Sequence, residues 1–395
     1  MTDGGRIRVA LLGSTGSIGV AALRVMARHP DRFQVTVLSA NASVRDLERQ
    51  VREHRPARVV VTDQAAFTGC STNGDEWVGG REALLDAVAR PDVDVVVNAL
   101  VGFAGLEPSL RALEAGKRLA LANKESLVTG GALVLEALHR GGGELVPVDS
   151  EHSALFQCLG GRQGTGVARL VLTASGGPFR GWTAGRLAEA RPSDALRHPT
   201  WEMGARITVA SATLANKALE VIEAHYLFQM AYRDITVVVH PQSVIHSMVE
   251  FVDGSVMAQM GFPTMELPIL YALTHPDRIS DPELRSFDPV RSSPLTFERV
   301  DDEAFPLFGI GVRAGREGGT APTVFNAANE IAVGAFLDDL LSFQGMTEVV
   351  GETLVRVPSA PVRDLHDVLD ADRTARQVAR ELVERQLPAV PGSDG

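Results

Sequence analysis

The chain has 395 residues, 45% of them hydrophobic and 22% charged, and a formal net charge of −11. Its length exceeds the usual single core, so two or three domains are expected. The negative charge argues against nucleic acid or an anionic membrane as a general partner, because polyanions repel such a surface.

Short apolar runs alternate with amphipathic stretches over residues 1–148. The pattern predicts strands at Arg8–Leu12, Phe33–Leu38, Arg58–Val61, Val93–Ala99, Arg118–Leu121 and Glu144–Val148. Helices are predicted at 17–28, 43–54, 81–89, 106–115 and 124–139. Continuous apolar strands separated by helices indicate an α/β fold: a doubly wound (Rossmann-like) parallel sheet covered on both faces. From 149 to 282 the pattern becomes α+β. There VARLVLTASGG reads as a strand entering a glycine-rich loop, 213–229 as a helix, and DITVVVHPQSVIHSMVEFVDGSVMAQMG as antiparallel strands turning at Asp253-Gly254. Residues 283–302 carry prolines as a linker would, and 303–395 read as a C-terminal helical domain. The opening MTDGGRIRVALLG runs straight into a strand with no secretory leader, and no apolar run is long enough to span a bilayer. Two cysteines, Cys70 and Cys158, offer neither a disulfide framework nor a thiolate metal set, so a cytoplasmic location is expected.

Gly13-Ser14-Thr15-Gly16-Ser17-Ile18-Gly19 follows the first predicted strand and opens the first helix. Glycines at this spacing allow a tight turn, close backbone approach to a pyrophosphate, and packing of helix on sheet. The helix start adds unpaired N–H groups and a positive dipole. The context therefore points to a dinucleotide rather than to a merely structural turn. The second strand ends Leu38-Ser39-Ala40-Asn41-Ala42-Ser43 with no acid before Asp46, which favours NADP, since an acid there would repel a 2′-phosphate.

Asn123-Lys124-Glu125 and Asp149-Ser150-Glu151 each stand at the end of a predicted sheet strand, where open α/β sheets bind ligands. Asp149 or Ser150 also suits a helix N-cap. Farther on, Asn216 and Glu220 are spaced i,i+4 and Lys217 and Glu220 i,i+3 within the nearly apolar ITVASATLANKALEVI. For an isolated Lys–Glu pair the bland alternative is a solvated face, but polar groups in an apolar helix need partners. Asp149, Glu151 and Glu220 would form a set of hard oxygen ligands suited to Mg²⁺ or Mn²⁺ rather than Zn²⁺. Lys124, Lys217 and His198 would offset the acids when a phosphate binds nearby. Ser175-Gly176-Gly177-Pro178 reads equally as a plain turn or as an anion loop. The segment around His198, Trp201 and Met203 suggests a lid over 195–205. His152, His240, His246 and His275 are left outside the ligand set.

GSTGSIG, ALANKESLV, PVDSEHSALFQ, SGGPF, HPTWEMG, SATLANKALEVIEA, HPQSVIHSMVEF and FNAANEIAVGAFL occur here in the order they take in the 1-deoxy-D-xylulose 5-phosphate reductoisomerase family, which the chain resembles from its first strand to its C-terminal helices. The resemblance implies NADPH-dependent conversion of 1-deoxy-D-xylulose 5-phosphate to 2-C-methyl-D-erythritol 4-phosphate with a divalent metal, in a homodimer. It implies metal ligation by Asp149, Glu151 and Glu220, and phosphate binding by Ser175, Ser211, Asn216 and Lys217 with His198 from the lid. Lys124, Ser150 and Glu151 would face the reacting end of the sugar, with Lys124, Glu151 and His198 as the catalytic groups. Thr15, Gly16, Ser17 and Ile18 would hold the pyrophosphate, with Asn41, Asn123, Glu125 and Gly204 also at the cofactor.

A semialdehyde-type dehydrogenase is the competing enzyme class, and it needs an activated cysteine. A non-catalytic NADP sensor is a third reading, and it has no need of the three acids together. One departure from the family concerns the loop after the second strand, where many members carry a basic residue and this chain has Asn41-Ala42-Ser43. Loss of a charge-assisted contact there costs about 1.5–3 kcal/mol unless Ser39, Ser43 or Arg45 replaces it. The expected outcome is that NADPH is still preferred over NADH, by a smaller margin than is usual in the family; equal kcat/KM with the two cofactors would contradict this.

Overall fold

The structure is a computed structural model and describes residues 5–68, 77–160, 166–197, 199–201, 204–285 and 287–386. The chain begins with β1 (Ile7–Leu12), α1 (Ser17–Arg28), β2 (Phe33–Ala40), α2 (Val44–His54), β3 (Arg58–Val61), α3 (Gln64–Thr68), β4 (Trp77–Gly79) and α4 (Arg81–Val88). Next come β5 (Val95–Asn98), α5 (Leu106–Glu114), β6 (Arg118–Leu121), α6 (Lys124–Gly141), β7 (Glu144–Pro147) and α7 (Ser150–Leu159). They are followed by β8 (Val167–Ala174), α8 (Ala184–Ala188), α9 (Pro192–Ala195), α10 (Ala205–Ala212), α11 (Ala215–Phe228), β9 (Ile235–Val239), β10 (Ile245–Phe251), β11 (Val256–Met260) and α12 (Glu266–Thr274). The last elements are β12 (Glu298–Arg299), α13 (Pro306–Glu317), α14 (Ala321–Leu337), α15 (Phe343–Arg356) and α16 (Leu365–Gln386).

Two compact units share the chain. The first comprises Met1–Leu127, Gly131–Val171 and Val244–Ser293; the second comprises Val128–Gly130, Leu172–Ser243 and Pro294–Gly395. In the first unit a seven-stranded sheet runs β4-β3-β2-β1-β5-β6-β7. Every pairing in it is parallel. Val9–Leu12, Val59–Val61 and Leu119–Leu121 have no exposure, as a sheet covered on both faces requires. Strand order reverses between β1 and β5, which makes the switch point where such sheets bind ligands. The expected hairpin is present, with β10 antiparallel to β11 and Gly254 at φ 84° in the turn.

In the second unit, β9 pairs with β12 through Val239 and Glu298. β12 lies inside the stretch read from sequence as a linker. Two residues are too short to show periodicity, so that strand had no sequence signal. The core of this unit packs α11 and α14 with Phe179, Phe336 and Met346, all at most 1% exposed. The helix expected over 213–229 is present as α11, and a further helix, α10, precedes it, separated from it by Leu214 at φ 56°. Thr213 stabilises the break, because its Oγ1 accepts the Ala215 N–H at 3.3 Å. No helix among the described residues is long and apolar enough to cross a membrane.

α2 ends on Arg55, a non-glycine residue in the left-handed region at φ 47° whose N–H donates to Val51 O. Arg55→Gly is expected to raise stability by about 0.5–1 kcal/mol by removing the Cβ penalty, measured as a higher thermal midpoint.

Candidate active site

The glycine loop joins β1 to α1 at the switch point. Gly13 adopts φ 75°, and a Cβ there would lie 2.7 Å from Ala99 O, at the end of β5. A Cβ on Gly19 would meet Gly13 O at 2.3 Å, so α1 packs against the loop at a distance only glycine allows. Thr15 and Ile18 are half-buried, while Gly16 and Ser17 are exposed, which leaves the start of α1 open to a ligand. A buried polar cluster sets the loop from beneath. Gly13 N donates to Ser39 Oγ at 3.2 Å, Ser14 Oγ donates to Gln50 Oε1 at 2.7 Å, and Gln50 Nε2 donates to Ser14 O at 2.8 Å.

Ser39 is 0% exposed and committed to the loop, so it is not a substitute contact for a 2′-phosphate. Asn41, Ser43 and Arg45 are exposed at the end of β2, with Asn41 Oδ1 accepting from Thr62 Oγ1 at 3.0 Å. Gln50 was missed altogether. Its signal is its place between Leu47 and Val51 on the buried face of α2, where an amide needs partners.

β6 and β7 are parallel neighbours, so the residues after them emerge side by side. Asn123 caps α6 by accepting the Ser126 N–H at 3.0 Å and is 1% exposed. Its Nδ2 donates to Leu100 O at 3.0 Å, Gly102 O at 2.9 Å and Glu125 Oε2 at 3.0 Å. Glu125 Oε1 accepts from Gly102 N at 3.3 Å. These two side chains therefore shape the loop after β5. Lys124 Nζ lies 2.5 Å from Asp149 Oδ2, with both side chains largely buried. Asp149 caps α7, accepting the Ser150 N–H at 2.9 Å, and Ser150 Oγ donates to Glu151 Oε2. Burial alone would raise the Asp149 carboxyl pKa, but the Lys124 ammonium and His152 outweigh it and hold the group ionised well below the usual carboxylate range. His152, set aside on sequence, has its Nδ1 3.7 Å from Asp149 Oδ2 and no exposure. The i,i+3 spacing of an acid and a histidine across a helix start was its signal.

In the second unit, Gly176 and Gly177 both have positive φ, and a Cβ on Gly177 would meet Ser211 O at 2.9 Å. The Ser175 loop thus lies against the end of α10 that carries Ser211. Just beyond, Lys217 and Glu220 are 4% and 1% exposed. Lys217 Nζ donates to Thr173 O at 2.6 Å and to Glu220 Oε2. Asn216 Nδ2 donates to Glu220 Oε1 at 2.5 Å. The Lys–Glu pair is therefore a buried, hydrogen-bonded cluster and not a solvated face. Gly204 caps α10, its carbonyl accepting from Thr208 N and Oγ1 at 3.0 Å each. His198 and Met203 lie outside the described residues. His240 has Nδ1 2.9 Å from Thr296 O and stacks on Phe297, which fits a structural histidine.

Cys158 does not suit the competing dehydrogenase reading, because burial pushes its thiol up to about 11 and leaves no thiolate nucleophile. Cys70 lies outside the described residues. A doubly wound sheet with a glycine loop at its switch point, and a lysine and acids along the same edge, belongs to the class of dinucleotide-dependent oxidoreductases. Models of the 1-deoxy-D-xylulose 5-phosphate reductoisomerase family match residues 9–131, and models of its C-terminal domains match 145–228 and 260–378. A protein of that name from Gloeobacter violaceus is 49% identical over 383 residues, covering 95% of this chain and 97% of that one. Another from Rhodococcus jostii is 50% identical over 382 residues, covering 96% and 95%. The solved structure of the Zymomonas mobilis enzyme in complex with NADPH superposes with a TM-score of 0.89 at 40% identity, covering 96% of this chain and 99% of that one. A second, described as DOX-P reductoisomerase with NADPH, fosmidomycin and magnesium, gives 0.91 at 35% identity, covering 96% and 98%. The chain belongs to the 1-deoxy-D-xylulose 5-phosphate reductoisomerase family.

Lys217→Met removes the counter-charge of a carboxylate that has almost no access to water. Loss of roughly 3–5 kcal/mol is expected, measured by denaturant or thermal unfolding, whereas a surface pair would cost under about 1 kcal/mol.

Proposed function

We propose that this protein converts 1-deoxy-D-xylulose 5-phosphate to 2-C-methyl-D-erythritol 4-phosphate with NADPH, in the non-mevalonate route to isoprenoids, using Mg²⁺ or Mn²⁺ held by Asp149, Glu151 and Glu220. Membership of the family supports the reaction, and the relatives solved with NADPH and with magnesium support the cofactors. The observation that carries the reading is the Lys124–Asp149 pair, with Glu151 beside it, on the sheet edge that also bears the glycine loop. The donor set fits the metal. All three side chains are carboxylates, Asp149 is kept ionised, and Glu220 is oriented by Asn216 and Lys217.

When bound, the cation supplies Lewis-acid polarisation of the substrate's ketone and neighbouring hydroxyl, and NADPH supplies reducing power. The chain's own residues do the rest. The first turn of α1, from Thr15 to Ile18, receives the pyrophosphate, and Asn41 stands toward the 2′-phosphate end. Asn123 and Glu125 support the cofactor by fixing the loop after β5, and Gly204 is the further cofactor residue that the family resemblance implies. Ser175, Ser211, Asn216 and Lys217 bind the substrate phosphate, with His198 added by the 195–205 lid. Ser150 and Glu151 orient the sugar hydroxyls, and Lys124 stabilises developing oxyanion charge. The lid keeps water from the reactive intermediate. Residues 1–148 serve the cofactor, 149–282 the metal and substrate, and 303–395 the helical domain, in a homodimeric cytoplasmic enzyme.

Oxidation of NADPH is expected with the pentulose phosphate and Mn²⁺ or Mg²⁺, and its loss on chelation. Glu220→Gln is expected to lower kcat by at least about a hundredfold. Turnover that persists in a chelator, or in the Glu220→Gln variant, would sink the metal assignment; no turnover with the pentulose phosphate would sink the reaction.

A further inference from the structure

The glycine loop is fixed at one end of α1, and a second anchor holds the other end. Asp281, whose side chain is 0% exposed, sits at the C-terminus of that helix although 253 residues separate it from Arg28. Its Oδ2 accepts from Arg28 Nε at 2.9 Å and lies 2.9 Å from Arg28 Nη2 and 3.0 Å from His29 Nε2. Its Oδ1 accepts the Glu283 N–H at 2.9 Å. Arg28 Nη2 reaches Glu266 Oε2 at 2.8 Å, and Arg24 Nε lies 3.4 Å from Glu266 Oε1. Glu266 opens α12, so two acids of the returning chain grip Arg24 and Arg28 of α1 and His29 at its C-cap.

Between these anchors the contact is apolar and therefore non-directional. Ala22, Val25 and Met26 of α1 share a core cluster with Ile269, Leu270 and Leu273 of α12. Such a face holds a helix against its neighbour without fixing its tilt. The Arg28 guanidinium does fix it, because this planar fork is held at two points by two carboxylates, through Nε to Asp281 and through Nη2 to Glu266. A helix of twelve residues is about 18 Å long and rigid along its axis, so an angular change at Arg28 displaces the N–H groups at the opposite end.

We propose that Asp281 is a positioning residue for the cofactor: through Arg28 and His29 it sets the direction of α1 and hence the geometry of the pyrophosphate loop. The proposal rests on the reading that NADPH binds at that loop. Asp281 touches neither substrate nor cofactor, and its effect falls on the affinity for the dinucleotide rather than on the chemical step.

The test compares wild-type protein with Asp281→Asn, which keeps the shape and the Glu283 contact but loses the charge. NADPH binding is measured directly by nucleotide fluorescence, beside steady-state kinetics and thermal unfolding. The expected result is a rise of roughly tenfold in Kd and KM for NADPH, with kcat at saturating NADPH and KM for the sugar phosphate within about twofold of wild type. Arg28→Lys, which keeps the charge but loses the fork, is expected to shift Kd in the same direction. An unchanged Kd beside a lowered thermal midpoint would show that the cluster only stabilises the fold, and overturns the proposal. So does a failure of both variants to fold. Wild-type protein that binds no NADPH overturns the cofactor reading itself, and this proposal with it.

Discussion

Parallel pairing is the constraint on which the first unit depends. Because all seven strands run the same way, every segment that follows a strand leaves at the same edge. Gly13 after β1, Leu100 after β5, Lys124 after β6 and Asp149 after β7 are thereby gathered from distant points of the chain. An antiparallel sheet would send half of these to the far side. The chemistry is thus placed by backbone hydrogen bonds, while local side-chain contacts such as Lys124–Asp149 refine it.

Each unit also buries charge in a compensated form. Lys124 faces Asp149 in the first, and Lys217 and Asn216 face Glu220 in the second. Buried ion pairs contribute little net stability once desolvation is counted, so they are poor explanations of folding. They are better explanations of readiness. A carboxylate held ionised and oriented before a ligand arrives needs no reorganisation when it does.

Much of the fold was legible in the residues. β3 and β6 fall on the predicted strands to the residue, and the limits of α1 agree as well, because continuous apolar runs and a glycine loop mark them clearly. Three kinds of feature were not legible. β4 and β12 are too short to carry a period. The break at Leu214 is a backbone choice that a buried leucine does not advertise. Asp281 and Gln50 act through partners 253 and 36 residues away, and one sequence holds no record of such pairings. At the site, the residue types and spacing suggested an acid set and a phosphate-binding helix, but the assignment of individual roles came from the resemblance. Geometry then altered parts of that picture: Ser39 became a support of the loop, and His152 became a neighbour of Asp149.

The first unit is assembled from three stretches of chain, and its latest pieces cover its earliest helix. α1 therefore leaves the ribosome long before α12 and Asp281 exist to pack on it. At about 5–20 residues per second the wait over 253 residues is on the order of tens of seconds. Throughout that interval the apolar stripe of α1 lacks the partner it has in the finished fold. The order of synthesis thus makes a settled dinucleotide site a late event, reached only after the segments bearing Asp149 and Glu220 have been made. With Asp281 positioning α1 as proposed, a nascent chain would not sequester the dinucleotide before the segment after α12 is made.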